Sequence, residues 1–152
     1  MTIPVVAVRD ALVSHLLASG LFAQVNSHEP KSAPSGECTA AVWLDATAPA
    51  PGASGLSMTT VRLSWKIRVY QSMLLEPQDE IDTDVMAAVD HIMGVVSGDF
   101  ELGGLVRSVD LLGAHGQPLS GQAGYLNQSG KWLRIFDIIV PLIVNDVWTQ
   151  AP

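Results

Sequence analysis

The side chains best suited to catalysis or metal binding are four histidines, one cysteine and 15 carboxylates, so their spacing decides what chemistry is open to the chain. His28, Glu29 and His115 offer two imidazoles and a carboxylate, a donor set that zinc accepts. His28 and Glu29 are adjacent, however, and no further ligand follows at a fixed spacing, so the three read as loop residues. His15 and His91 fall within expected helices, far apart in sequence. Asp99 and Glu101 bracket Phe100, and in an extended segment such i and i+2 side chains point the same way. Nothing near them suggests a cleft or a raised pKa, so they read as a solvated loop. Cys38 is the only cysteine, which excludes an internal disulfide and every paired-cysteine metal motif, and it reads as a buried, inert thiol. G-x-S-x-G, G-x-G-x-x-G, H-E-x-x-H and Walker patterns are all missing, and Gly103-Gly104 is too short to cradle a phosphate. The sequence therefore predicts no enzyme, with no catalytic, metal or cofactor-binding residue and no cofactor.

What remains is chemistry of contact. Residues 59–71 alternate strictly, with Thr59, Val61, Leu63, Trp65, Ile67 and Val69 on one face and Thr60, Arg62, Ser64, Lys66, Arg68 and Tyr70 on the other. That period is a strand with one buried face. Arg62, Lys66 and Arg68 hold three of the chain's eight basic residues in one row, which is expected to meet acidic groups of a neighbouring subunit. Trp43 and Trp65 sit in mid-strand and read as core. Trp132 and Trp148 fall near strand ends and read as interface residues, because tryptophan is enriched in contact hot spots. Residues 46–57, with Pro49, Pro51, Gly52 and Gly55 among small residues, read as an exposed, mobile hairpin arm used in contacts.

The elements that position these residues follow from periodicity. Val5, Val8, Leu12 and Leu16 recur at helical spacing after Pro4 and before Gly20, so a first helix is expected there. Leu21 to Val25 is a short strand, 26–38 a loop carrying Pro30, Pro34 and Gly36, and Thr39 to Ala46 a strand. A second helix follows Glu76-Pro77, with Asp79 or Asp82 as cap, an apolar stripe from Ile81 to Val96, and Gly98 at its end. Leu105 to Leu112 alternates as a strand and 113–122 reads as a loop. Gly124 to Asn127 and Lys131 to Val144 form a hairpin about Gln128-Ser129-Gly130, with Pro141 expected to reduce the second strand's end to an edge or bulge. This order predicts one α+β domain over residues 1–152: a mostly antiparallel, twisted sheet with two helices packed on one face, plus the hairpin arm.

Composition narrows the function class. Only 15% of residues are charged and 48% are hydrophobic, against about 25% charged in an ordinary domain. A chain this poor in charge leaves neutral or apolar surface that subunit contacts can cover. The net charge of −7 disfavours a grip on nucleic acid, which needs clustered Lys and Arg. No apolar run approaches the roughly 20 residues of a membrane span, and no basic n-region marks a secretion signal.

Several stretches carry a family likeness: Val25-Asn26-Ser27-His28-Glu29-Pro30-Lys31-Ser32-Ala33-Pro34, Glu76-Pro77-Gln78-Asp79, Gly98-Asp99-Phe100-Glu101-Leu102-Gly103-Gly104, Asp110-Leu111-Leu112-Gly113-Ala114 and Pro141-Leu142-Ile143-Val144-Asn145-Asp146-Val147-Trp148. Over nearly its whole length the chain resembles the tail terminator proteins of long-tailed, siphovirus-type phages of actinobacterial hosts. The resemblance implies a structural virion protein, assembled in the host cytoplasm, that forms a hexameric ring at the head-proximal end of the tail. Such a ring stops polymerisation of the tail-tube protein and presents a surface to a head-completion or connector protein. DNA passes through its lumen without specific binding, and no membrane is involved. Two alternatives stay open at this point: another ring-forming neck or tail-tube subunit, and a small-molecule-binding domain walled by loops 26–38 and 113–122.

Overall fold

In the computed structural model, which describes residues 2–34 and 37–151, the elements run α1 (Val5–Ala18), β1 (Gln24–Asn26), β2 (Thr39–Pro49), a single 3-10 turn (Pro51–Ala53), β3 (Met58–Ser72), α2 (Glu80–Gly98), β4 (Ser108–Val109), β5 (Ser120–Gln128) and β6 (Lys131–Thr149). The α+β reading holds, with one sheet and two helices among the described residues. Gly36 of the 26–38 loop lies outside those residues.

The six strands form one sheet in the order β1-β2-β3-β6-β4, with β5 pairing the same edge of β6 as β4. All pairings are antiparallel except β1 with β2. The alternating stretch predicted over 59–71 is β3, the spine of the sheet, and β6 pairs it from Met58↔Thr149 to Ser72↔Leu133. Its expected inner face is the core: Val61, Leu63, Trp65, Ile67 and Val69 are buried with Val42, Ile138, Val140 and Leu142. Val8, Leu12 and Leu16 of α1 and Val85, Val89, Ile92 and Val96 of α2 close over that face. These are the stripes that helical spacing predicts, apart from Val5, which is exposed, and each fully buried aliphatic side chain contributes about 1.5–3 kcal/mol. Gly20, at φ +70, ends α1 in a conformation that an L side chain resists.

Several elements differ from the sequence reading. Of the strand expected over 105–112 only Ser108–Val109 forms, because the chain before it turns through Leu102, Gly103 and Gly104, all at positive φ. Leu21 to Phe22 stays out of the sheet, and β1 is shifted to Gln24–Asn26. The hairpin strands are longer than expected: β5 takes in Ser120–Gln122, and β6 runs on through Pro141 to Thr149. Pro141 neither ends the strand nor sits at the edge of the sheet. It pairs Ser64 of β3, and its carbonyl accepts the Asp110 N–H on the other side. Its missing N–H falls where β5 has stopped, at Ile139, and β4 has not begun, at Leu142, so no ladder bond is lost. Asp79 stands at the N-cap of α2 without a side-chain cap bond, so neither expected cap acts as one by hydrogen bonding.

Candidate functional site

The basic row of β3 lies on the helix-free face, as its alternation requires, and each member has a partner inside the chain. Arg68 makes a bidentate pair with Asp137, directly opposite on β6, at 2.5 Å (Nε to Oδ1) and 3.0 Å (Nη2 to Oδ2). The guanidinium also stands 5.3 Å above the Trp43 ring. The hydrogen bonds that Arg68 donates to Asp137 hold its pKa above the ordinary value against the opposing effect of burial. Lys66 lies 3.9 Å from Asp45, the residue at the register shift of β2. Arg62 donates to Ser64 Oγ at 3.0 Å and to the Gln117 carbonyl, which ties the 113–119 loop to the sheet. All three basic side chains are half-buried.

Trp43 is not core in the way Trp65 is. Trp65 is buried under the helices, while Trp43, one residue out of phase with Val42, projects to the opposite face. There it flanks a second, smaller cluster of Ala41, Tyr70, Leu133 and Ile135. The 26–38 loop reaches this end of the sheet, where Gln128 donates to the Pro30 carbonyl.

Exposed apolar groups gather at both ends of the long central strands. Trp132 and Trp148 begin and end β6, are 60% and 45% exposed, and are separated by about 50 Å of strand. At the Trp148 end stands the arm. Ala46 to Pro49 pair Ser64 to Val61 of β3, and Pro51–Ala53 form the turn. Ser54 Oγ accepts the Thr60 N–H and donates to the Ala50 carbonyl. The arm is thus a hydrogen-bonded hairpin. Pro49, Pro51, Gly52 and Gly55 lie in it, Gly52 against His115 of the neighbouring loop. Leu56, the one large apolar side chain of the arm's turn, is wholly exposed. At the Trp132 end a groove of about 580 Å3 opens among Pro34, Met73, Leu74, Leu75, Trp132 and Leu133, with Leu74 almost fully in solvent. Leu56 and this groove escaped sequence reasoning. A lone leucine in a run of Ala, Pro, Gly and Ser was a readable signal for the first, whereas the second needs Pro34, Met73 and Trp132 brought together from three segments.

The other candidates do not converge. His28 and Glu29 belong to the loop near the Gln128 end, and His115 lies beside Gly52 at the arm, so the sheet holds them apart. No group of three or more His, Cys, Asp or Glu able to hold a metal occurs among the described residues. Asp99 is not merely solvated: it accepts from Gly103 N–H at 3.0 Å and from His15 Nε2 at 2.8 Å, which clasps the ends of α2 and α1. The Gly103 N–H, then His15, hold the Asp99 carboxyl below its ordinary pKa. Glu101 is exposed, and its backbone carbonyl accepts the Gly104 and Val106 N–H groups of the turn after α2. Cys38 is half-buried rather than buried, and burial, reinforced by Asp84, pushes its thiol up to about 11. No helix among the described residues is long and apolar enough to cross a membrane.

No protein-family profile matches the chain, and no curated protein matches it either. Solved structures do. A chain from the virion of a native gene transfer agent particle superposes with a TM-score of 0.47 at 15% identity, covering 90% of this chain and 93% of its own. A chain from an extracellular contractile injection system, described as the PVC sheath/tube terminator in the extended state, superposes with a TM-score of 0.49 at 10% identity, covering 99% of this chain and 59% of its own. This chain thus spans less than two thirds of that second chain.

Proposed function

We propose that this chain is a structural subunit of a tailed virion, a tail terminator that closes into a ring, caps the tail tube and offers its far side to a head-completion protein. One observation carries the reading: apolar side chains are exposed at both ends of the same two strands, Leu56 with Trp148 at one and Leu74 with Trp132 and the groove at the other. A subunit set between two different partners needs two such surfaces, and contact surfaces are anchored by large apolar and aromatic groups. The sequence stretches that resemble tail terminators supply the identity of those partners, a tail-tube protein and a connector. The arm at Pro49, Pro51, Gly52 and Gly55 is the contact element of the first end, and Arg62, Lys66 and Arg68 set the register of contacts on the helix-free face. The ring is a hexamer in this reading, and six copies at −7 each carry −42, a field that repels DNA and lets it slide.

The test is the mass of the assembly in free solution and on tail tubes. A closed oligomer of six copies is expected, and a Leu56→Asp or Trp148→Asp exchange should stop its binding to tubes while leaving the subunit folded. A protein that stays monomeric in both settings overturns the reading, and one that polymerises into long tubes by itself is a tube subunit instead. The groove's apolar lining is also what a small-molecule site would use. A ligand that fills it and raises the melting temperature, with no assembly under any condition, would favour that function.

A further inference from the structure

The sheet has two open margins. β1 covers β2 only from Thr39 to Ala41, so among the described residues no strand pairs the outer edge of Trp43–Pro49. On the far side β5 pairs β6 alone, so among the described residues no strand pairs the outer edge of Ser120–Gln128. Soluble proteins usually blunt such edges with lysine, proline or a covering element. Here β5 carries no charged residue and no proline, while the open part of β2 holds one charge, Asp45, at its register shift and already near Lys66, and has its one proline, Pro49, at its last position. The outward backbone groups of β5 can be named. Ser129 and Gly130, both at positive φ, make a two-residue turn, so Gln128 and Lys131 form a hydrogen-bonded pair. Counting back by twos, the N–H groups of Gly121, Ala123, Tyr125 and Asn127 point away from β6.

We infer that the open edge of β5 in one subunit pairs with the open edge of β2 in the next, joining copies head to tail into one continuous sheet. Direction favours this. β2, β3, β6 and β5 alternate in sense, so β2 and β5 run oppositely. A rotation about an axis along the strands keeps every copy in the same sense, and β5 then meets the neighbouring β2 antiparallel. The side chains agree. Leu44, opposite Trp65, and Tyr125, opposite Arg134, both project on the helix side of the sheet, and they are 39% and 61% exposed at its two margins. One junction brings these two exposed groups together on the same face. The open lengths also match, at about 20 Å for β2 and about 30 Å for β5.

This inference rests on the ring reading and names its interface. Amide hydrogen exchange tests it on the free and the assembled full-length protein. The N–H groups of Gly121, Ala123, Tyr125 and Asn127, with those of Leu44 and Thr47 on the open side of β2, should exchange at least about tenfold more slowly after assembly, while α1 is unchanged. Ala123→Pro removes one outward N–H without removing a bond to β6, and Asn127→Lys charges the edge through an already exposed side chain. Either should weaken assembly at least about tenfold with the melting temperature of the subunit little changed. Assembly with both edges exchanging as in the free subunit overturns the pairing and leaves the ring reading standing. A closed dimer made of like edges also overturns it, and a chain that never assembles, free or on tubes, overturns both.

Discussion

The Arg68–Asp137 pair is the charged contact whose worth the geometry fixes best, and removing it separates a role inside the subunit from one between subunits. The two residues face each other across β3 and β6, joined by two hydrogen bonds, with side chains only 15% and 27% exposed. Exposed pairs contribute under about 1 kcal/mol, while breaking a buried pair costs about 3–5 kcal/mol. A bidentate, mostly covered pair falls between these, at about 2 kcal/mol of coupling. Arg68→Ala also uncovers the Trp43 ring and leaves Asp137 without compensation, so it should lower the melting temperature by about 4–8 °C in a chain of this length. The assay is a double-mutant cycle of Arg68→Ala, Asp137→Ala and the double variant, by urea unfolding. The double variant should be clearly less destabilised than the sum of the single ones. Additivity within about 0.3 kcal/mol would refute this and show that the two side chains are not coupled within the subunit.

Gly121→Ala should destabilise the subunit by about 1–3 kcal/mol in thermal melts, because a Cβ there overlaps the Phe136 ring and its backbone neighbours leave little room. The Asp99 clasp contributes stability with a defined pH sense: its pKa is depressed by folding, so the contribution is present above the ordinary carboxylate pKa and fades as pH falls through the folded value. Asp99→Asn should therefore unfold more easily than the parent at neutral pH, and acid titration should erase the difference. Cys38, with its thiol pushed up to about 11, should resist thiol reagents at pH 8 in the folded protein and react at once in urea.

Local periodicity carried most of the fold. The alternation from Thr59 to Val69 and the stripe from Ile81 to Val96 each report one buried face, and both faces form the core. What was not legible depended on partners distant in sequence. The alternation of Leu105–Leu112 reads as a full strand, but the turn at Leu102–Gly104 before it and the pairing of only Ser108–Val109 with β6 shorten it. The same holds for Pro141, whose local rule is overridden by the gap between β5 and β4. Trp43 needed the phase of β2 against β3, and the choice of Val42 rather than Trp43 as the inward residue is fixed by the pairing of Val42 with Ile67. His15 and Asp99 meet 84 positions apart in sequence, beyond any motif. The tryptophans at strand ends were readable because β6 begins and ends beside them, whereas the open edges of β2 and β5 became visible only with the strand order.

The central claim is that this chain caps a tail tube as a single ring. Electron microscopy of the purified protein mixed with tubes of its partner tail-tube protein tests it most directly. One ring on one end of each tube is expected, with tubes that no longer lengthen when fresh tube protein is added. Tubes that keep growing past the bound protein, or tube ends that stay bare at saturating protein, would contradict it.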